Sequence, residues 1–495
     1  MSGPQPQSQS EAKRALLERA LRRRRETSAG EVVIARRAVD GPAPLSFAQQ
    51  RMWFLEQWEP GSPTFNGARA LRLRGTLSHN AMEGAIRTVI ERHESLRTVI
   101  VPGLEPHQRV LESWSFELPT RPLPPEHAEQ ELARLLRELS RRPFDLTADL
   151  MLRADLVRLS AEEHVLLIGM HHIAADAHSD SILFAELAEC YDAALSGRGA
   201  ALPALPIQYA DYAAWQHERL KGTALQELCS YWARTLEGSP ELLRLPTDRP
   251  RRSIQRHAGA HHEFSLPRQL GDDLQALGRE QGATFFMVML AAFATLLYRW
   301  SGEQDVVIGS PIANRNNVEL QGLIGFFTNT IALRVKLGGN PSFREAIRRA
   351  REAALGAYAH QDLPFEQVVA TVAPRRDPAY NPLFQVNFRA QASERPALAL
   401  QGLQVEPLSI DIGFSRFDLA LELELRRSEL GGYLEYDQDL FGPASVGGLQ
   451  RRLSALLVQV LERPDTPVLA LALDEGDDGA RAGHSIKRRS TRAKR

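Results

Sequence analysis

The sequence predicts an α+β fold, an α/β sandwich arranged as two related lobes with a cleft between them. Both halves of the 495-residue chain mix helices with a few strands, and the two sets agree in size and element type. A long connection over residues 216–257, punctuated near its end by Pro246 and Pro250, separates them. No short-period repeat interrupts either half. With 43% hydrophobic and 24% charged residues, the composition is that of a globular chain of about two to four domains.

The elements follow from residue spacing. Residues 10–26 place Ala15, Leu16, Ala20 and Leu21 at helical intervals among arginines, which suits an amphipathic helix that docks on a partner. In the first lobe, residues 68–73 and 163–170 have strand character, and Val165, Leu166, Leu167 and Ile168 form a buried strand. Across residues 81–92, Met82, Ala85, Ile86, Val89 and Ile90 recur with helical spacing. Ser179 is placed to cap a helix whose apolar side carries Leu183, Leu187, Cys190, Tyr191 and Leu195. The connection between the lobes holds one helix. The second lobe opens with a strand (261–266), a polar helix (270–280) and an apolar, buried helix (283–298). Val306, Val307 and Ile308 make a strand, followed by a loop region (309–330), a strand (331–337) and a helix (342–361). Alternating strands at 419–425 and 432–436 precede a last helix, 444–461.

Charge and cysteine content exclude several classes. Sixty Lys and Arg against 61 Asp and Glu give no overall field to draw in nucleic acid or an anionic membrane. Basic charge gathers at the ends: seven basic residues and one acid over 13–25, and seven basic residues with no acid over 481–495. Both runs are expected to be docking or linker segments. Two cysteines, Cys190 and Cys229, exclude a disulfide framework and a multi-Cys zinc site, and they fit a reducing cytosol. Residues 1–12 lack an apolar stretch, so no secretory signal is expected. The apolar run 283–298 is too short for a bilayer of about 30 Å. The expectation is a soluble, cytoplasmic protein.

The segment Met170-His171-His172-Ile173-Ala174-Ala175-Asp176-Ala177-His178-Ser179 holds the most chemistry. A buried strand ends there, two histidines emerge, an aspartate follows, and a helix begins. Strand-to-helix turns present polar side chains and free helix N–H groups at a sheet edge. Histidine is the usual proton-transfer residue near neutral pH. Asp176 could orient a histidine or lock the loop through an arginine. A second pair, His261-His262, has Leu266 where the aspartate would fall and reads as strand filler. No Gly-x-Ser-x-Gly elbow or phosphate-binding glycine loop is present. No metal site is expected, because adjacent histidines point differently and no third ligand supports one.

Around these histidines, a series of segments resembles the condensation domain of nonribosomal peptide synthetases, from about residue 44 to 461. Leu45-Ser46-Phe47-Ala48-Gln49-Gln50-Arg51-Met52-Trp53-Phe54-Leu55 resembles the family's first motif, and Arg92-His93-Glu94-Ser95-Leu96-Arg97-Thr98 its second. Residues 171–177 resemble its His-His-x-x-x-Asp-Gly. Tyr209-Ala210-Asp211-Tyr212-Ala213-Ala214-Trp215 and Ile324-Gly325-Phe326-Phe327-Thr328-Asn329-Thr330 are similar to the fourth and fifth. His360-Gln361-Asp362-Leu363-Pro364-Phe365-Glu366 and Arg376-Asp377-Pro378-Ala379-Tyr380-Asn381-Pro382-Leu383 complete the series in order.

The resemblance implies two chloramphenicol-acetyltransferase-like lobes in a V with a central tunnel. It implies a condensation enzyme of nonribosomal peptide, or hybrid polyketide–peptide, biosynthesis: an acyltransferase moving a carrier-bound acyl or peptidyl thioester to an amine, usually one on a second carrier. The alternatives are a catalytically silent carrier-binding domain of the same fold, or transfer to a free soluble amine or alcohol. No bound cofactor is implied. Phosphopantetheine arms would come from donor and acceptor carrier proteins or neighbouring modules, with the chain a monomer. His172 would be the central catalytic residue, with His171 and Asp176 in support, and Asp176 would pair with Arg315. Trp53, Trp215, Phe326, Phe327 and Phe365 are expected to pack. His93 and Arg97 would hold a helix end, and residues 385–400 would cross between lobes as a latch. Ala177 replaces the family's glycine; its methyl is tolerable at negative φ and obstructive otherwise. His178 is a possible tunnel residue. The expected division is 1–42 (basic helix and linker), 43–215 (first lobe), 216–257 (connection), 258–476 (second lobe with latch and floor loop) and 477–495 (basic disordered tail).

Overall fold

Residues 419–425 show how the sheets are built. Leu419, Leu421, Leu423 and Leu425 are buried while Ala420, Glu422 and Glu424 between them are half-exposed, the two-residue period of a strand with one face in a core. The computed structural model describes residues 33–38, 41–123, 128–375, 377–392, 398–410 and 413–473. The basic segments expected over 10–26 and 477–495, and Arg376, lie outside them.

In the first lobe, β2 (Asn66–Gly75) pairs antiparallel with β7 (Glu163–His171), whose other edge pairs antiparallel with β6 (Leu152–Arg158). β5 (Thr120–Pro122) joins β6 in parallel. On one face, Met82, Ile86 and Ile90 of α2 (His79–Arg92) meet Leu183 and Leu187 of α4 (Ala177–Leu195), all buried. On the other, Leu132 and Leu136 of α3 (Ala128–Ser140) pack on Val157 and Val165. A small sheet of β1 (Ala43–Pro44), β4 (His107–Val110) and β3 (Thr98–Val101) adjoins this lobe. α1 (Phe47–Trp58) starts in a capping box: the Ser46 hydroxyl accepts the Gln49 N–H, and the Gln49 side chain accepts the Ser46 N–H.

The second lobe is a six-stranded sheet. Its order is β10 (Asn329–Lys336), β9 (Asp305–Ile312), β11 (Val386–Gln391), β13 (Leu419–Leu425), β14 (Glu429–Asp437) and β8 (Gly259–Pro267). The apolar helix α8 (Phe285–Ser301) lies in its core, with no exposed surface from Val288 to Leu297. Thr284 caps its start and Gly302, at φ 77°, ends it. α7 (Arg268–Glu280), α9 (Phe343–Ala359) and α10 (Pro443–Glu462) contribute Leu274, Ile347 and Leu453 to the same core. No single helix among the described residues is long and apolar enough to cross a membrane.

Three features depart from the sequence reading. The boundary expected at residue 215 falls inside α5 (Tyr209–Arg219), and the one helix expected in the connection, α6 (Gly222–Leu236), is not free-standing but buries Trp232 and Leu236 in the second-lobe core. Residues 386–391 are not crossing chain; β11 is an inner strand between β9 and β13. The crossing comes later. Leu398 and Leu400 sit in the first-lobe core, and β12 (Leu403–Leu408) pairs antiparallel with β2 as an edge strand. The sequence reading also leaves out α1, α3, β6 and β12; the helical spacing of Leu132, Leu135, Leu136 and Leu139 does carry α3, whereas β12 takes its form from a distant partner strand.

Candidate functional site

The end of β7, the start of α4 and the loop between β9 and β10 meet at a cavity of about 700 Å³ between the lobes. His172 and Arg69 face it from the first lobe; Phe326, Arg416, His261 and Glu435 face it from chain belonging to the second.

His172 is the first residue beyond β7, and its backbone N–H donates to the Phe65 carbonyl at 2.9 Å. Its Nδ1 lies 3.2 Å from the Ala175 carbonyl oxygen. A carbonyl only accepts, so Nδ1 carries the proton and Nε2 keeps its lone pair. The ring is half-buried, with Phe326 tilted over it at 6.0 Å between centroids. Burial, then Arg416 and His171, push the imidazole down to about 3, against the opposing bond to Ala175. His172 is therefore neutral at any working pH.

His171 faces elsewhere, as alternation along a strand requires. It is 3% exposed, packs against Phe144 at 5.8 Å, and accepts the Ile173 N–H at Nδ1 at 3.1 Å. Burial, then Arg416 and Arg153, lower it also to about 3. With Nδ1 accepting, its proton is on Nε2. His171 braces the turn that carries its neighbour. Among the described residues, no three His, Cys, Asp or Glu side chains cluster as a metal site requires.

Asp176 is buried and makes its contacts away from His172. It, and not Ser179 as the spacing suggested, is the N-cap of α4; Ser179 completes the capping box. Its Oδ1 accepts the N–H groups of His178 at 3.1 Å and Ser179 at 2.9 Å, and Arg315 Nη2 at 3.1 Å. Its Oδ2 accepts the N–H groups of Phe327 at 3.0 Å and Thr328 at 3.2 Å. Arg315, 9% exposed, also donates to the carbonyls of Leu320 at 2.5 Å and Leu323 at 2.6 Å, and its guanidinium lies 4.2 Å from the Phe327 ring centre. One ion pair thus ties helix α4 to the loop of residues 313–328.

The same loop is held elsewhere. His93 receives the Ile324 N–H at Nδ1 and contacts Glu186 through Nε2 at 2.8 Å, and Ser95 donates to the Ile324 carbonyl. Phe327 packs edge-on to Tyr209 and Tyr212. A methyl on Gly325 would lie 2.3 Å from the Tyr209 ring. Gly325→Ala is therefore expected to cost about 1–3 kcal/mol through overpacking, read by denaturant unfolding; an unchanged midpoint would show that the loop yields.

Ala177 begins α4 and is absent from the non-glycine residues with positive φ. Its methyl is accommodated at the cavity wall without backbone strain. His178 is exposed at the rim of the same cavity. Burial, then Arg315, lower its pKa.

The structure revises two readings. His261 is not filler: it lines the cavity, with Nε2 3.1 Å from Glu435 Oε2 and its ring against Tyr433. Phe326 does not simply pack, since it faces His172. Arg416 is a site residue that the sequence reading does not single out. The available signal is a lone cation between two aromatics in Phe414-Ser415-Arg416-Phe417, leading into a strand.

The family model for the Condensation domain matches residues 39–476. A linear gramicidin synthase polypeptide of Brevibacillus parabrevis is 40% identical over 445 residues, which are 89% of this chain and 6% of that protein. Phosphinothricin tripeptide synthetase PhsC of Streptomyces viridochromogenes is 40% identical over 471 residues, 94% of this chain and 43% of that protein. The chain thus spans less than half the length of either relative. Among solved structures, the X-domain in complex with OxyB from teicoplanin biosynthesis superposes with a TM-score of 0.82 at 31% identity, covering 90% of this chain and 99% of that one.

Proposed function

The chain belongs to the condensation-domain family, and from that premise we propose that it joins a carrier-bound acyl or peptidyl thioester to an amine on a second carrier. Its fold is the chloramphenicol-acetyltransferase-like pair of lobes. The observation that carries the proposal is His172 Nε2: a lone pair with no hydrogen-bond partner among the described residues, on a ring whose tautomer is set, facing a cavity shared by both lobes. The amine nitrogen attacks the thioester carbonyl carbon, a C–N bond forms, the C–S bond breaks, and the thiol leaves with the proton lost from nitrogen.

An imidazole held near 3 is a poor sink for the proton of a resting ammonium. His172 instead accepts a hydrogen bond from the neutral amine and directs its lone pair at the carbonyl. The positioning of two tethered reactants supplies much of the acceleration. The pH profile follows from this. The single-turnover rate should rise as the acceptor deprotonates, near about 8 for an α-amine. No acid limb should appear at the ordinary histidine value of about 6.5. Acceptor amines of lower basicity should move the limb to lower pH, whereas a fixed limb near 6.5 would contradict the neutral-imidazole account.

The direct test is intact-mass analysis of loaded donor and acceptor carrier proteins before and after incubation with this chain. The acyl mass should move from donor to acceptor. A recruitment domain without chemistry is the second reading, supported by likeness to an X-domain whose structure is a complex with OxyB; carriers that bind without a mass change would establish it. A product released free would instead indicate a soluble acceptor. Phosphopantetheine would be supplied by the carriers, and a monomer is the expected state.

A further inference from the structure

We propose that Arg416 is a second catalytic residue, donating hydrogen bonds to the oxyanion that forms on the thioester carbonyl; this rests on reading the cavity as the acyl-transfer site. The proposal starts from its placement. Arg416 comes from the second lobe, lines the cavity, and reaches the first-lobe segment to which the His172 backbone is hydrogen-bonded. Its Nη2 donates to the Thr64 carbonyl at 3.1 Å, and its guanidinium lies 5.1 Å from the Phe65 ring centre. Phe65 is the residue whose carbonyl receives the His172 N–H. The cation and the imidazole therefore share one anchor.

The guanidinium is also available. A half-buried arginine normally has a carboxylate partner. Arg416 has no ion pair among the described residues, and beyond its hydrogen bond to Thr64 the rest of its five N–H groups have no hydrogen-bond partner among them. Burial lowers its pKa, with Glu435 opposing, and an arginine keeps its charge regardless. The neighbouring carboxylate is engaged, since Glu435 accepts from the Ser415 hydroxyl and contacts His261.

Arg416 is held rather than swinging. Gly259 N–H donates to the Gly413 carbonyl and Ser415 N–H to the His257 carbonyl. The backbone approach is so close that a methyl on Gly259 would lie 2.1 Å from the Phe414 carbonyl carbon. Downstream, buried Asp418 pairs with Arg251. A preorganised donor of this kind needs little rearrangement as charge develops.

The other donors near His172 are largely spent. The amides of His178 and Ser179 at the α4 terminus, and those of Phe327 and Thr328, all point at Asp176. When the amine lone pair enters the carbonyl carbon, the C=O π electrons move to oxygen. Collapse restores C=O and expels the thiolate, which takes the proton from nitrogen. The guanidinium donates hydrogen bonds throughout and gives up no proton.

The test uses this chain with valyl- and aspartyl-phosphopantetheine thioesters as donors and glycyl-phosphopantetheine as acceptor, alongside Arg416→Ala, Arg416→Lys and His172→Ala. Arg416→Ala should lose about 10²–10³-fold in turnover with both donors, at unchanged KM. Arg416→Lys should retain part of it, and added guanidinium should partly restore Arg416→Ala. Circular dichroism and melting of each variant separate loss of chemistry from loss of fold. Wild-type turnover matched by Arg416→Ala would overturn this proposal alone. So would a loss seen only in KM, or only with the aspartyl donor, which would make Arg416 a side-chain reader. Wild-type chain that transfers neither donor overturns the functional reading and this proposal with it.

Discussion

Replacing His172 by alanine is expected to lower acyl transfer by about 10²–10⁴-fold, the range a positioned proton acceptor contributes. The chain should remain folded. The ring is half-buried at a cavity wall, and its one side-chain bond is to the Ala175 carbonyl, which water entering the vacated space can satisfy. The loss should lie in turnover and not in carrier KM, because in the proposed reaction Nε2 acts on the nitrogen that reacts and not on the arms that deliver it. His171→Ala supplies the contrast. That side chain is 3% exposed and accepts a buried N–H from Ile173. Its removal leaves an unpaired donor and a hole beside Phe144, at about 1–3 kcal/mol of stability. Single-turnover rates and denaturant unfolding on both variants separate the roles. Equal rates for wild type and His172→Ala would end the assignment, and a His171→Ala chain of wild-type stability but dead in transfer would reverse the two histidines.

What was legible in the chain was local and periodic. The alternation of residues 419–425 and the continuous apolar run of α8 specify their own burial, because each answers a nearby and repetitive environment. β12 could not be read that way. Leu-Gln-Val-Glu-Pro-Leu carries a proline and weak alternation, and it is a strand only because β2, in the other lobe, offers an open edge. The site divides along the same line. The His-His-x-x-x-Asp spacing brings the two histidines and the aspartate to one turn. Which of them faces the cavity depends on the end of β7 and on a loop more than a hundred residues away. The pairing of Asp176 with Arg315 was expected from the resemblance; that its carboxylate also caps α4 and holds the N–H groups of Phe327 and Thr328 was not. Arg416 carried almost no local signal, since its meaning comes from the chain it reaches, Thr64 and Phe65.

Breaking the pair between Asp176 and Arg315 is expected to be the most destabilising change at the site. Burial alone would raise the Asp176 carboxyl; Arg315 and the Ser179 hydrogen bonds outweigh it and hold the carboxyl below its ordinary range. Asp176→Asn keeps the size but turns an amide donor, in one orientation, toward the donating N–H groups of Phe327 and Thr328. It also strands the buried Arg315 charge. Arg315→Met does the converse and leaves the carboxylate without its cation. Each should cost about 3–5 kcal/mol, as removal of one partner of a buried pair does. The double variant should cost less than the sum of the two, since neither charge is then left alone. The pH dependence has a definite sign. A carboxyl depressed on folding contributes stability above its unfolded value, near 3.8, and that contribution is lost as pH falls through the folded value. Wild-type stability should therefore decline steeply below that point, and Asp176→Asn should flatten the decline. Transfer activity should fall with loss of the ordered loop, because Phe326, two residues from the Thr328 anchor, forms the wall facing His172. Guanidinium unfolding curves across pH check this. An Asp176→Asn chain as stable as wild type but unable to transfer would show that the carboxylate acts on the reaction itself.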